Sequence, residues 1–201
     1  QDRPHLYAIE PVREPPLVPR DLRREARERI DYKGEVVRPL DEEDLGAVID
    51  LLKRRRVESC AVCLLFSFMN PDHERRIGEM LRQAGFEHVS LSSEIIPEFR
   101  EFERTSTVCI NAYVAPIMNG YLRRLGDEAP GPLWIVQSSG GVLRADEAAS
   151  EPVRTVLSGP AGGVVGALHS AGVSGFNQLV TLDMGGTSTD VTLCPGEALQ
   201  T

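Results

Sequence analysis

Residues 182–191, Leu182-Asp183-Met184-Gly185-Gly186-Thr187-Ser188-Thr189-Asp190-Val191, gather the chemically capable residue types of this chain into one short segment. The apolar Leu179-Val180-Thr181-Leu182 leads in and Val191-Thr192-Leu193 leads out, so the pattern reads as strand, tight turn, strand. Glycines at the bend admit torsions closed to other residues and let a ligand lie against bare amides. Successive N–H groups in such a bend make a small anion-binding concavity. The hydroxyls of Thr187, Ser188 and Thr189 add donors, and Asp183 could hold a hydrated divalent cation facing phosphates. Gly-Gly is also a favoured turn in an ordinary hairpin. A plain hairpin, however, does not need an aspartate straight after four strand residues, where aspartate is depleted. Nor does it need a hydroxyl cluster closed by Asp190. The segment reads as a phosphate-binding hairpin.

Composition narrows the alternatives. A hydrophobic fraction of 41% and a charged fraction of 26% are ordinary for a soluble globular chain. A net charge of −8 argues against a nucleic-acid-binding surface, which needs clustered positive charge. No apolar run is long enough to span a membrane, and no signal peptide opens the chain. The two lysines, Lys33 and Lys53, do not follow glycines, so a Walker A loop is excluded. Both lie in polar stretches unsuited to a Schiff base. Cys60 and Cys63 have the spacing of a zinc or redox half-site. They fall inside an apolar run, though, where positions three apart point to opposite sides of a strand. The expectation is buried, reduced thiols in a cytoplasmic protein, with no cysteine metal site.

Two further clusters qualify as substrate contacts. Arg104-Thr105-Ser106-Thr107 with Asn111 opens a long helical pattern, where one hydroxyl can serve as a cap. Ser138-Ser139-Gly140-Gly141 ends a strand, a place where parallel sheets put ligands. A plain turn also accounts for it. Gly-x-Ser-x-Gly is absent, so no serine hydrolase is inferred.

The positioning elements follow from periodicity and punctuation. A short strand is expected at Leu6–Ile9. Residues 21–30 have helix propensity, although Asp31-Tyr32-Lys33-Gly34 permits a hairpin. Asp41 can cap a helix with Leu45, Val48, Ile49 and Leu52 on one face. A buried strand is expected at 59–66. Asn70-Pro71 then opens a helix that ends before Gly85. His88–Leu91 is a strand, and 105–125 is helical with Pro116 kinking or breaking it. Leu133–Gln137 is a strand, Arg144–Ser150 a short acidic helix, and 158–171 a helix of small residues. Alternation of helices and strands implies an α/β layered domain with a largely parallel sheet.

A small-residue helix followed by strand–Asp–x–Gly–Gly–Thr–strand resembles the actin-like ATPase superfamily. Further motifs narrow this. Leu17-Val18-Pro19-Arg20, residues 28–31, residues 70–76, residues 97–107, Asn111-Ala112-Tyr113-Val114, Gln137–Gly141, Ser158–Gly163 and Asp183–Asp190 look like the hydantoinase A/5-oxoprolinase family, in order along nearly the whole chain. The resemblance implies an α/β, ribonuclease H-like layered fold, present in part, with a mixed, mostly parallel sheet and flanking helices. Its division would be 1–112, the end of the family's N-terminal region, and 113–201. The second part would hold connecting helix 158–171 and phosphate hairpin 179–195. It also favours a hairpin over a helix for residues 21–38.

The activity implied is ATP-dependent opening of a cyclic amide, with ATP and Mg²⁺ as cofactors. On the family pattern Gly185, Gly186, Thr187, Ser188 and Thr189 would meet phosphate. Asp183 would bind Mg²⁺ through water, and Asp190 would support the hairpin or a water. Gly159, Gly162 and Gly163 would lie in the connecting helix. Arg104, Thr105, Ser106, Asn111, Ser138 and Ser139 are the substrate candidates. The partner implied is a hydantoinase B-like subunit or fused domain. The alternatives are the ATP-using subunit of an acetone carboxylase-like complex and a nucleotide-gated module without chemistry. Gln1 is not an initiator methionine and the family carries a second phosphate hairpin. A segment of a longer polypeptide, inactive towards ATP alone, is therefore expected.

Overall fold

The computed structural model describes residues 15–196, and the chain divides between Tyr113 and Val114 into two compact units. The strand expected at Leu6–Ile9 lies outside the described residues.

The first unit opens with an antiparallel hairpin of β1 (Arg29–Ile30) and β2 (Val36–Arg38). Helix propensity before it is overridden by turn chemistry. The Asp31 carboxylate accepts from Lys33 N at 2.8 Å and Glu35 N at 2.9 Å, and Gly34 takes φ +83°, which a side chain would resist. Helix α1 (Glu42–Arg54) starts where Asp41 accepts from Asp44 N at 3.0 Å. Replacing Asp41 with Ala should lower unfolding free energy by about 1 kcal/mol in urea titrations.

Strand β3 (Ser59–Val62) pairs in parallel with β4 (His88–Leu91), joined through α2 (Asp72–Gln83). Asn70 Oδ1 accepts from Asp72 N at 3.1 Å and Gly85, at φ +97°, follows the end of α2. Leu45, Ile49, Cys60, Val62, Ile77, Leu81, Phe86 and Leu91 form the core of this unit. A four-residue helix, α3 (Ser92–Ile95), precedes α4 (Glu101–Glu128).

Strand β3 ends at Val62, short of the expected residue 66. Beyond it Glu74, wholly buried on α2, accepts from Leu64 N at 2.8 Å, Ser92 Oγ at 2.7 Å and Ser93 N at 2.8 Å. Arg104 on α4, equally buried, donates to Leu64 O at 2.7 Å and Glu98 O at 2.8 Å. Its guanidinium lies 5.2 Å from the Phe68 ring centroid. These charged groups bond the half-buried backbone of Leu64 at both its N–H and its C=O, where Leu64 O also accepts from Ser67 Oγ at 3.0 Å.

Burial pushes the Cys60 thiol up to about 11 from an ordinary 9.0. The folded chain therefore holds this proton more tightly than the unfolded chain. That contribution is complete below pH 9 and fades as pH rises towards 11. Wild type should lose on the order of 2 kcal/mol more stability than Cys60→Ala between pH 8 and 11, measured by urea unfolding.

In the second unit α4 continues unbroken through Pro116, where a kink or break was expected. Strands β5 (Trp134–Val136) and β6 (Val142–Arg144) form an antiparallel hairpin, followed by α5 (Ala145–Ser150). Leu122, Ala148 and Ala149 are the buried centre, and Asn119 Nδ2 donates to Ala149 O at 3.0 Å. Helix α6 (Ser158–Val173) leads to the antiparallel hairpin of β7 (Leu179–Met184) and β8 (Thr189–Cys194).

The class is α/β, but the mostly parallel sheet is corrected. Among the described residues only β3–β4 is parallel, and the other three strand pairs are antiparallel. Short turns join those three pairs, whereas a parallel pair needs a crossover such as α2.

Candidate functional site

The β7–β8 hairpin sets its two carboxylates against each other. Register pairs Asp183 with Asp190, Thr181 with Thr192 and Leu179 with Cys194 along one face. The opposite face pairs Val180 with Leu193 and Leu182 with Val191, followed by Met184 with Thr189. That second face is apolar and bare, Leu182 being 64% and Leu193 71% exposed. Alternation of side chains along a strand separates the two faces cleanly.

The turn is four residues long, Gly185–Ser188, rather than a two-residue Gly-Gly bend. Gly185 N donates to Ser188 O at 2.9 Å, closing it. Ser188 Oγ lies 3.5 Å from Asp190 Oδ2. Asp183 to Asp190 are exposed throughout. A cross-strand pair of like charges is unfavourable by itself. With hydroxyls and open amides beside it, it has the oxygen-rich character that a hydrated divalent cation requires.

Helix α6 comes close to this face. A Cβ on Gly163 would sit 3.9 Å from Asp183 Oδ2, whereas one on Gly162 would sit 3.5 Å from Val136 Cγ1. Adjacent glycines thus admit different neighbours, strand β5 and the Asp183 carboxylate. Gly159 is exposed in the first turn of α6, with nothing within 4 Å of its would-be Cβ. Leu157, just before α6, holds φ +61°, a left-handed conformation costly for a residue with a Cβ. Ser138 braces the chain leading into it. Its amide donates to Arg154 O at 2.7 Å, and its hydroxyl donates to Arg154 O at 2.7 Å and to Val156 O. Ser139 is exposed in the same β5–β6 turn.

The remaining candidates fall in the first unit and separate by burial. Thr105 and Ser106 line a cavity of about 1080 Å³ together with residues of α1 and β3. Arg104 and Asn111 are buried, the latter donating from Nδ2 to Ser90 Oγ at 2.9 Å. Glu74 and the left-handed Leu157 were not anticipated. A glutamate in the first helical turn looks like an ordinary dipole partner, and nothing in the local sequence marks Leu157. No helix among the described residues is long and apolar enough to cross a membrane, and none of their acidic, His or Cys groups forms a three-ligand cluster.

Comparisons with known proteins agree with this reading of the fold. Residues 1–85 match the hydantoinase/oxoprolinase N-terminal region and residues 104–201 match hydantoinase/oxoprolinase. The chain belongs to the hydantoinase/oxoprolinase family. The crystal structure of ATP-dependent caprolactamase from Pseudomonas jessenii superposes with TM-score 0.80 at 36% identity, covering 94% of this chain and 28% of that one. The nucleotide-free structure of acetone carboxylase gives TM-score 0.80 at 32% identity, covering 92% and 27%. The 5-oxoprolinase of Saccharomyces cerevisiae is 36% identical over 166 residues, 79% of this chain and 13% of the relative. The chain thus carries part of an actin-like α/β fold and spans about a quarter of the length of relatives such as the Pseudomonas jessenii caprolactamase subunit alpha, of which it covers 27%.

Proposed function

We propose that residues 179–195 form one phosphate-binding wall of an ATP site, in an enzyme that opens a cyclic amide of the hydantoin or 5-oxoproline type. The observation that carries this is the pairing of Asp183 with Asp190 beside Gly163, next to a turn of bare amides. Names and titles of relatives at 36% identity, a 5-oxoprolinase and an ATP-dependent caprolactamase, support the reaction class.

An amide carbonyl is a poor electrophile. Moving the γ-phosphoryl group to the carbonyl oxygen forms an O–P bond, breaks the bond to the bridging oxygen and releases ADP. Water can then attack the activated carbon. The C–N bond breaks as the ring nitrogen takes a proton and leaves as the amine. A second water hydrolyses the resulting acyl phosphate to carboxylate and free phosphate. Such a transfer asks mostly for positioning and charge stabilisation. In this chain the amides of Gly185 and Gly186 and the hydroxyls of Thr187, Ser188 and Thr189 would orient the phosphates. Asp183 would hold Mg²⁺ through water, with Asp190 supporting the hairpin or a water. When bound, Mg²⁺ supplies the positive charge that this lysine-free segment lacks. Gly159, Gly162 and Gly163 would place the connecting helix close to the nucleotide. Thr105, Ser106 and Ser139 are the accessible substrate candidates. Arg104 and Ser138 would position them by fixing the adjacent backbone, and Asn111 by its hydrogen bond to the Ser90 hydroxyl. Relatives named as subunits of caprolactamase and acetophenone carboxylase support a partner subunit.

Acetone carboxylase matches with the same TM-score, which keeps an ATP-using carboxylase subunit as the second reading. The natural polypeptide containing this chain, assayed with its partner, should release ADP in response to hydantoins, lactams or 5-oxoproline. Release only with ketones plus bicarbonate would establish the carboxylase reading. Release that neither class stimulates would overturn both.

A further inference from the structure

We infer that Cys63 and Cys109 form a redox-modification site, a dithiol that closes to a disulfide between the end of β3 and the first half of α4. Four cysteines are free, and they divide by access: Cys60 and Cys194 are buried, whereas Cys63 and Cys109 are half-buried. Both partly open thiols line the same cavity, which the buried Cys60 also borders.

Their nearness follows from helix geometry. Cys63 Sγ lies 3.1 Å from Thr105 Oγ1. Thr105 and Cys109 are four residues apart on α4, so their Cβ atoms stack about 5–6 Å apart on one face. Cys63 meets that face at Thr105, and Cys109 stands one turn further along it. The influence of Cys63 on Cys109 reports the same nearness: burial and then Cys63 raise the Cys109 thiol while Arg23 opposes them. Cys60, three residues earlier on β3, also borders the cavity, but its side chain is buried in the core cluster and burial raises its thiol to about 11, so it offers less thiolate for exchange.

The chemistry balances with a small disulfide as oxidant. The Cys63 thiolate attacks it, forming a mixed disulfide and releasing one small thiol. The Cys109 thiolate then attacks Cys63 Sγ, forming the protein disulfide and releasing the second small thiol. The closed loop spans α2 and β4 and so encloses Ile77, Leu81, Phe86 and Leu91, half of the first unit's core.

The test treats the reduced chain with oxidised glutathione, followed by alkylation, peptide mapping and intact mass. The expected product is a monomer carrying a Cys63–Cys109 peptide link, formed at least about tenfold faster than any other pairing. Cys63→Ser and Cys109→Ser should each give no internal link and a glutathione adduct on the remaining thiol of the pair. Cys60→Ala should leave the link unchanged. In urea the pairing preference should vanish while circular dichroism confirms unfolding. Separate glutathione adducts on Cys63 and Cys109 without a link, or an equal yield of Cys60 links, would overturn the inference.

Discussion

Asp183→Asn should lower substrate-stimulated ATP hydrolysis about 10²-fold or more in the natural polypeptide while leaving the hairpin no less stable. The two effects have opposite origins. Asp183 and Asp190 face each other in register on one side of β7–β8. Two like charges in that position repel across the strands, so neutralising one relieves about a few tenths of a kcal/mol. The same substitution removes the negative charge and one of the two oxygens that would hold the hydrated cation against phosphate. Loss of one such electrostatic contact commonly costs two to three orders of magnitude in turnover. Asp190→Asn should cost less, about tenfold, as befits a supporting group. The check pairs steady-state ADP release with thermal unfolding in the presence and absence of Mg²⁺. Mg²⁺ should raise the melting temperature of wild type but not of Asp183→Asn. Turnover within threefold of wild type would remove Asp183 from the proposed role.

Glu74→Ala should destabilise the first unit by about 3–5 kcal/mol, the largest stability effect expected in the chain. The side chain is 0% exposed and accepts three hydrogen bonds, from Leu64 N, Ser92 Oγ and Ser93 N. Truncation orphans three buried donors at once, each worth about 1–3 kcal/mol when left unpaired, and water entering the vacated space recovers a part. Gln in place of Glu keeps one acceptor oxygen but turns an NH₂ towards a donor, so it should recover only a fraction. Urea unfolding followed by circular dichroism at 222 nm measures both. A loss under about 1 kcal/mol for the alanine variant would show that the turn at 64–70 stands without the carboxylate.

Where the determinants are local, this fold is legible in the sequence. Asp41 caps α1 because its carboxylate needs only the amide three residues on. The β7–β8 hairpin is readable because polar and apolar residues alternate on both sides of a glycine turn. Residues 64–70 were opaque for the opposite reason. Their apolar character suggests strand, but Glu74 and Arg104, distant in sequence, bend the backbone into a turn. Strand β6 covers three residues, too few to display a period. Within the candidate site, the residue types were plain from the start. The four-residue turn, the Asp183–Asp190 pairing and the bracing of the Leu157 turn by Ser138 depend on register and tertiary contact.

Because the carboxylates share one face only through register, the turn at Gly185–Ser188 is a counting device. Every pair in the ladder depends on its length. Removing or adding a single residue there, with the form of the turn kept, would turn β8 over relative to β7, since facing side chains must lie on the same side of the sheet. Asp190 would then leave Asp183 and enter the row now held by Val180 and Leu182. The ladder therefore constrains the length of the turn, while the proposed phosphate contacts of Gly185, Gly186, Thr187 and Ser188 constrain its composition.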